Sequence, residues 1–222
     1  MVMTLGDSVV LLHGLGRTHR SLLLTQWRLK AAGFQPINIH YPSRSQPIER
    51  LAVFVMSKLP TDTRRTMHFV THSLGGIVLR YLVSVQRPQN LGRVVMLSPP
   101  NRGSRVASRL RNNPIYRFLL GPAGQQIGAE PDSLPNQLGP VTFELGVITG
   151  NRPLVALPWQ AHEEGDGKVT VSEATVEGMR DFLVVRRGHT FIMNDPRVLD
   201  QVIHFLRHGC FARNGSAHQR LH

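Results

Sequence analysis

Short apolar runs alternate with amphipathic stretches along this chain. Runs such as 8–12 (SVVLL) and 67–71 (MHFVT) are rich in β-branched residues, which is typical of strands buried on both faces of a parallel sheet. Between such runs, 47–59 carries apolar residues at helical spacing and opens with a proline, which predicts an amphipathic helix. The alternation predicts an α/β domain with a mainly parallel sheet and helices on both faces. The six predicted strands are 8–12, 35–40, 67–71, 93–97, 143–149 and 181–185.

Further helices are predicted at 18–32, directly after Ser73, and from about 195 to 208, where Gly209 ends the last one. The segment 98–140 breaks the alternation because it is rich in proline and glycine, with short helices predicted at 105–110 and 115–120. A connection of this length is usually functional or disordered. We therefore expect one domain over residues 1–222, with an insertion at about 99–140.

The stretch FVTHSLGG, residues 69–76, joins a predicted strand to a predicted helix through a serine. At a sharp turn of this kind the hydroxyl of Ser73 would be exposed, and Gly75 would leave room for close approach of neighbouring backbone. The start of the helix would place N–H groups and a positive dipole end beside the serine. Thr71 stands where the pattern G-x-S-x-G has its first glycine. In the alternative interpretation, Ser73 is only the N-cap of a helix beginning near Leu74.

THSLGG resembles the nucleophile turn of α/β-hydrolase lipases and esterases, several branches of which have Ala or Thr in place of the first glycine. The stretch HGLG at residues 13–16 follows the first strand and resembles the oxyanion loop of the same family. The resemblance implies that Ser73 is the nucleophile and that the backbone N–H groups of Leu15 and Leu74 bind the oxyanion. A glycine turn without chemistry is the alternative interpretation of HGLG.

In this family the acid and then the histidine follow the serine along the chain. His189 lies in a loop between the last predicted strand and the last helix, where the family has its base. Asp166 lies between two glycines and resembles the DG-x-V acid of lipase-like members. It would accept the Nδ1–H of His189 and stabilise the imidazolium. A surface histidine and an ordinary polar turn are the alternatives. The competing acids are Glu163, Glu164 and Asp181.

The resemblance covers most of the chain and implies a minimal α/β-hydrolase fold whose insertion forms a small cap over an acyl pocket. The stretch SPPNRGSRVA resembles a lipase segment, usually TPH-x-GS, with Asn101 in the place of the histidine. An inert surface excursion is the alternative for this insertion. No cofactor and no metal are expected. A zinc site at His204, His208 and Cys210 is not favoured, because a further ligand at a fixed spacing is lacking.

These features predict a carboxylic ester hydrolase that acts through Ser73, His189 and Asp166, with a small-molecule or lipid ester as substrate. Acyl transfer or thioester hydrolysis could use the same three residues, because pocket shape and the second substrate decide between them. A third hypothesis, from a different class, is a non-catalytic binding module on a hydrolase scaffold.

The formal charge of +12 adds one further expectation. Residues 63–129 include ten arginines and no acidic residue. Such a balance favours contact with anions, and an anionic lipid interface is a candidate partner. Nucleic acid is not expected, because no helix-turn-helix, metal finger or aromatic-basic pattern accompanies the charge. The chain shows no signal-peptide pattern or membrane-spanning run, so a cytoplasmic location is expected. The oligomeric state is left open.

Overall fold

The computed structural model describes residues 6–153 and 163–213, and its centre is a six-stranded sheet in which every strand pair is parallel. The strand order is β2-β1-β3-β4-β5-β6. The expected α/β architecture and the six-stranded sheet are confirmed. The strands are β1 (Ser8–Leu12), β2 (Gln35–Ile39), β3 (Met67–His72), β4 (Leu91–Leu97), β5 (Leu145–Gly150) and β6 (Asp181–Val185).

The strand order reverses at β1, because β2 lies on one side of β1 and β3 on the other. In open parallel sheets the loops at such a reversal separate and leave a crevice at the carboxyl ends of the strands. The loop after β1 and the turn after β3 both lie at this edge. The fold therefore creates a cleft where the sequence has HGLG and Ser73.

Side chains of the central strands alternate between two apolar cores, one on each face of the sheet. In β1, Val10 and Leu12 belong to one core, whereas Val9 and Leu11 belong to the other. All four are fully buried, which explains why this strand is continuously apolar in sequence.

Helices cover both faces of the sheet. The last one, α8, has Asp195 as its N-cap and ends at Gly209, which has a φ of 73°. The helices are α1 (Leu23–Ala31), α2 (Ile48–Met56), α3 (Leu74–Val85), α4 (Arg105–Leu110), α5 (Pro114–Gln126), α6 (Leu134–Gln137), α7 (Val171–Ala174) and α8 (Pro196–His208).

Several element boundaries differ from those predicted. The helix predicted at 18–32 is divided into a 3₁₀ turn, His19–Leu22, and α1. The helix predicted at 115–120 continues to Gln126 after a non-helical residue, Gly121. The short helices α6 and α7 were not predicted. In α7 the side chain of Thr170 accepts from the N–H of Glu173, whose carboxylate accepts from the N–H of Thr170. This reciprocal capping stabilises a helix of one turn, which is too short to show apolar periodicity.

Helices α4, α5 and α6 lie between β4 and β5 in chain order, within the segment for which an insertion was expected. Arg80, a buried residue of α3, joins the two ends of this segment. Its guanidinium donates to the carbonyl oxygen of Asn101 at 2.8 Å and to that of Gly139 at 2.6 Å. The segment is therefore attached at both ends to a helix that packs on the central sheet.

Candidate active site

Ser73 occupies the sharp turn between β3 and α3. Its φ of 52° and ψ of −123° lie in a region that residues other than glycine rarely adopt. The side chain makes no capping hydrogen bond to α3, although Ser73 stands at the N-cap position. The hydroxyl of Ser73 therefore does not act as a helix cap.

Two glycines allow the chain to pack closely around this turn. A Cβ at Gly75 would lie 2.6 Å from the carbonyl oxygen of Leu12. A Cβ at Gly14 would lie 2.7 Å from Nδ1 of His72 and 3.2 Å from the Cβ of Ser73. The turn and the loop after β1 are thus in direct contact, and any side chain at either glycine would separate them.

The three residues selected from the sequence lie together at the carboxyl edge of the sheet. The hydroxyl of Ser73 donates to Nε2 of His189 at 3.0 Å, and Nδ1 of His189 donates to Oδ2 of Asp166 at 2.8 Å. Because the carboxylate accepts this hydrogen bond, the proton of the neutral ring is on Nδ1, and Nε2 is left as the acceptor for the serine hydroxyl. The arrangement allows proton transfer from an alcohol to an imidazole whose charge a carboxylate can stabilise.

Asp166 is held by its own loop. Its Oδ1 accepts from the backbone N–H groups of Lys168 at 3.0 Å and Val169 at 2.9 Å. Burial alone would raise the pKa of Asp166, but the adjacent His189 and these polar contacts hold the pKa below its ordinary value. The side chain is therefore a buried carboxylate with its acceptor positions directed by the loop.

Two of the three competing acids form other contacts. Glu163 pairs with Arg105 at the surface. Asp181 accepts from the backbone N–H of Phe211 and pairs with Arg213. The described contacts do not bring either carboxylate to His189.

The loop after β1 is fixed by buried polar contacts. Nδ1 of His13 donates to the carbonyl of Gly14 at 3.0 Å, and Nε2 accepts from the N–H of Tyr41 at 3.3 Å. The Tyr41 hydroxyl donates to the His13 carbonyl, and the two rings stack with centroids 4.2 Å apart. Burial lowers the pKa of His13 to about 4, so the ring is neutral near pH 7. Leu15 follows this anchored residue and lines the cleft, whereas Leu74 is the first residue of α3.

His72 is a site residue that the sequence analysis did not select. It is 1% exposed, and its Nε2 donates to the backbone carbonyl of His189 at 3.0 Å. Burial, followed by the proximity of His189 and Arg17, holds the pKa of His72 well below its ordinary value. The neutral ring thus connects the strand before Ser73 to the loop that carries His189. Its position next to the serine, inside a buried strand, was the available sequence signal.

A pocket of about 270 Å³ opens at Ser73 and His189. Part of its wall comes from the loop after β1 and from the loop after Asp166. The rest is apolar and comes mainly from α4, α5 and the residues joining them to the sheet. The apolar lining residues are Leu15, Pro100, Val106, Ala107, Leu110, Tyr116, Leu120, Ile127 and Val169.

Asn101 is buried, and its hydrogen bonds join neighbouring segments of the chain. Its side-chain amide donates to the carbonyl of Ala174 at 2.9 Å, and its own carbonyl accepts from Arg80. Neither the described contacts of Asn101 nor the residues lining the pocket place it at the cleft. Among residues 6–153 and 163–213, no group of three His, Cys, Asp or Glu side chains could hold a metal ion, and no helix is long and apolar enough to cross a membrane.

No family model matches the sequence, and no curated protein matches it. Solved structures do match. A lipase of Bacillus licheniformis in its mature form superposes with a TM-score of 0.69 at 17% identity, covering 86% of this chain and 87% of the lipase. The phospholipase PlaB of Legionella pneumophila gives 0.66 at 17% identity, with 90% of this chain covered. This chain spans 56% of the length of PlaB.

An extracellular α/β-hydrolase from a Paenibacillus species superposes with a TM-score of 0.60 at 13% identity, covering 90% of this chain and 98% of the other. These superpositions cover 86% to 90% of this chain. The chain has the fold of the α/β-hydrolases.

Proposed function

We propose that this protein is a serine hydrolase that cleaves carboxylic esters, with Ser73 as nucleophile, His189 as general base and acid, and Asp166 as the acid that orients the histidine. One observation carries the proposal: the hydrogen bonds run continuously from Ser73 Oγ through both nitrogens of His189 to Asp166. Lipases and phospholipases among the structures of the same fold support the choice of ester substrates.

In the first half-reaction, Ser73 Oγ attacks the ester carbonyl carbon while its proton passes to Nε2 of His189. The tetrahedral intermediate collapses by breaking the bond to the alcohol oxygen, which takes the proton from His189. In the second half-reaction, water gives a proton to His189 and attacks the acyl-enzyme. The resulting intermediate collapses by breaking the bond to Ser73 Oγ, which takes the proton back from His189. The acid product leaves and free Ser73 is restored, so one water is consumed for each ester.

The backbone N–H groups of Leu15 and Leu74 are proposed as the oxyanion donors. The first N–H groups of a helix have no partner within the helix, and Leu74 is the first residue of α3. Leu15 follows His13 and Gly14, whose contacts fix the opposite loop. Donors held rigidly in this way stabilise the developing charge without reorganising.

The acyl chain is proposed to lie against the apolar wall that α4 and α5 contribute. The segment 99–140 would act as a small cap within a single domain, because Arg80 attaches both of its ends to α3. Acyl transfer and thioester hydrolysis remain the alternatives that use the same residues.

The membrane-facing side of this cap is proposed to be the exposed face of α5. Ile115, Phe118 and Leu119 have helical spacing on one side of α5 and are 68%, 83% and 47% exposed. Arg111 precedes this helix and Arg117 lies within it. An apolar face flanked by cations is the composition that binds an anionic lipid surface.

A fluorophosphonate probe followed by peptide mapping tests the proposal. Wild-type protein should be labelled at Ser73 and should hydrolyse 4-nitrophenyl butyrate. Ser73→Ala should show neither labelling nor hydrolysis. Ser172→Ala, a change at an exposed serine of α7, is the matched control and should keep both. Labelling at another residue, or a folded wild-type protein without either activity, contradicts the proposal. A salt-dependent shift of random duplex DNA would then favour a binding module.

A further inference from the structure

Two cationic residues line the pocket beside the proposed nucleophile. Arg17 is half-buried in the loop after β1, and its guanidinium donates to the carbonyl oxygen of Thr190 at 3.0 Å. Lys168 follows Asp166 by two residues, and its backbone N–H donates to that carboxylate at 3.0 Å. Both residues line the pocket together with Ser73 and His189. They therefore lie on the side of the pocket that carries the histidine.

Neither Arg17 nor Lys168 forms an ion pair with a side-chain carboxylate of the described residues. All fourteen acidic residues lie within 6–153 and 163–213, and in this described part none forms an ion pair with Arg17 or Lys168. Asp166 attracts Lys168, but its oxygens already accept from His189 and from the backbone. Partial desolvation and, after it, the neighbouring Arg17 lower the pKa of Lys168.

Two cations that face one cleft repel each other, and an anion bound between them would relieve that repulsion. The rest of the chain reinforces the effect, because its formal charge is +12 and residues 63–129 contain no acid. The pocket is thus built to accept a negative group at the side of His189.

The same pocket also has an apolar part. Val106, Leu110, Tyr116 and Leu120 from the cap segment form an apolar wall that suits an acyl chain. In the proposed reaction His189 gives its proton to the leaving alcohol, so the alcohol must occupy the side of His189. An ester bound with its alcohol beside His189 would place that alcohol near Arg17 and Lys168, and its acyl chain would lie along the apolar residues.

We propose that the substrate is an acyl ester whose leaving alcohol carries an anionic group, with Arg17 and Lys168 as the residues that bind that group. This inference rests on the proposed function. Phosphate and carboxylate share the chemistry, and the guanidinium of Arg17 can bind either through two parallel hydrogen bonds. Hydrolysis breaks the acyl C–O bond, consumes one water and releases the fatty acid and the anionic alcohol.

Matched esters test the inference, each used below its aggregation concentration. The substrates are 1-lauroylglycerol 3-phosphate, 1-lauroylglycerol and lauroyl lactate, which differ in the alcohol and share the acyl chain. Wild-type kcat/KM should favour an anionic ester over 1-lauroylglycerol by about tenfold or more, the size expected for charged hydrogen bonds. A preference for the phosphate ester or for lauroyl lactate identifies the anion.

In Arg17→Gln this preference should fall by about tenfold, through a higher KM for the anionic ester, and Arg17→Lys should recover part of it. Lys168→Gln should also lower the preference for the anionic ester. Arg50→Gln, at an exposed arginine of α2, is the matched control and should leave it unchanged.

Equal kcat/KM for neutral and anionic esters overturns the inference, as does a preference that is the same in Arg17→Gln and wild type. The second result would assign Arg17 to holding the Thr190 loop. Neither result affects the proposed function, which fails separately if 4-nitrophenyl butyrate is not hydrolysed and Ser73 is not labelled.

Discussion

The imidazole of His72 donates a hydrogen bond to the backbone carbonyl of His189 at 3.0 Å, and the two rings lie 4.9 Å apart. One histidine therefore positions the other through the backbone. His72 comes directly before Ser73, so the same buried strand fixes both the serine and the loop opposite it.

Replacing His72 should lower turnover without changing the proposed reactive groups. In His72→Phe the carbonyl of His189 loses its donor, and a displacement of about 1 Å at the base can cost about a hundredfold. We expect kcat for 4-nitrophenyl butyrate to fall by about ten- to a hundredfold, with a smaller change in KM. His68→Phe is the matched control, since His68 is a buried histidine of the same strand whose Nδ1 accepts from the N–H of Arg93, away from the site. An equal loss of kcat in both variants would contradict a positioning role.

Arg80 should control how firmly the segment 99–140 is attached. Arg80→Met removes the donors to Asn101 and Gly139, and a buried carbonyl without a partner costs about 1–3 kcal/mol. We expect the free energy of unfolding in urea to fall by roughly that amount, and limited proteolysis to cut the segment sooner than in wild type. Arg87→Met, which removes an exposed arginine, is the control. Unchanged proteolysis in Arg80→Met would contradict the attachment.

Stability should depend on pH through His13. Burial lowers the pKa of His13 to about 4, while the unfolded chain has the ordinary pKa of 6.5. Between these values the unfolded chain binds a proton that the folded protein does not, so stability is fully present above pH 6.5 and is lost as the pH falls towards 4. Between pH 7 and pH 5 this residue should account for a loss of about 2 kcal/mol.

Urea unfolding of wild type and His13→Gln at several pH values measures this contribution. His72 is also buried with a lowered pKa and acts in the same direction, but it is present in both proteins and cancels in their difference. The variant should be less stable at pH 7 and should lose about 2 kcal/mol less on acidification. Parallel pH profiles would exclude the effect.

The exposed face of α5 should bind anionic lipid. Phe118 is 83% exposed, and its removal should weaken the apolar part of the contact. Co-sedimentation of Phe118→Ser with vesicles of 3:1 phosphatidylcholine and phosphatidylglycerol should show several-fold weaker binding than wild type. Val85→Ser changes an exposed apolar residue on α3 and is the control. The rate of hydrolysis of monomeric 4-nitrophenyl butyrate should be the same in Phe118→Ser and wild type. Equal vesicle binding by wild type, Phe118→Ser and Val85→Ser would refute the assignment of this face.

Much of the fold could be predicted because the strands and long helices carry strong local patterns. The run 8–12 became β1 with identical bounds, and the periodicity that begins after Pro47 became α2. One-turn helices such as α7 could not be predicted from periodicity, and they depend on capping contacts instead. The strand order also could not be derived, since it depends on which strands pair across the sheet.

For the site, the sequence predicted which residues belong together, and hydrogen bonds do link Ser73 to His189 and His189 to Asp166. It did not predict His72 or Arg80. Both look like ordinary residues of a buried strand and a helix, and their contacts are to backbone carbonyls far along the chain.

The amino-acid sequence by itself determined the α/β alternation, the turn at Ser73 and the choice of three chemically competent side chains, because these follow from local spacing and residue type. The tertiary structure decided which loops meet at the edge of the sheet. It also decided that His189 contacts Ser73, that His72 supports the loop of His189, and that Arg17 and Lys168 face one pocket. These depend on contacts between residues far apart in the chain, such as Gly14 with Ser73 and Arg17 with Thr190, and no local pattern encodes such a contact.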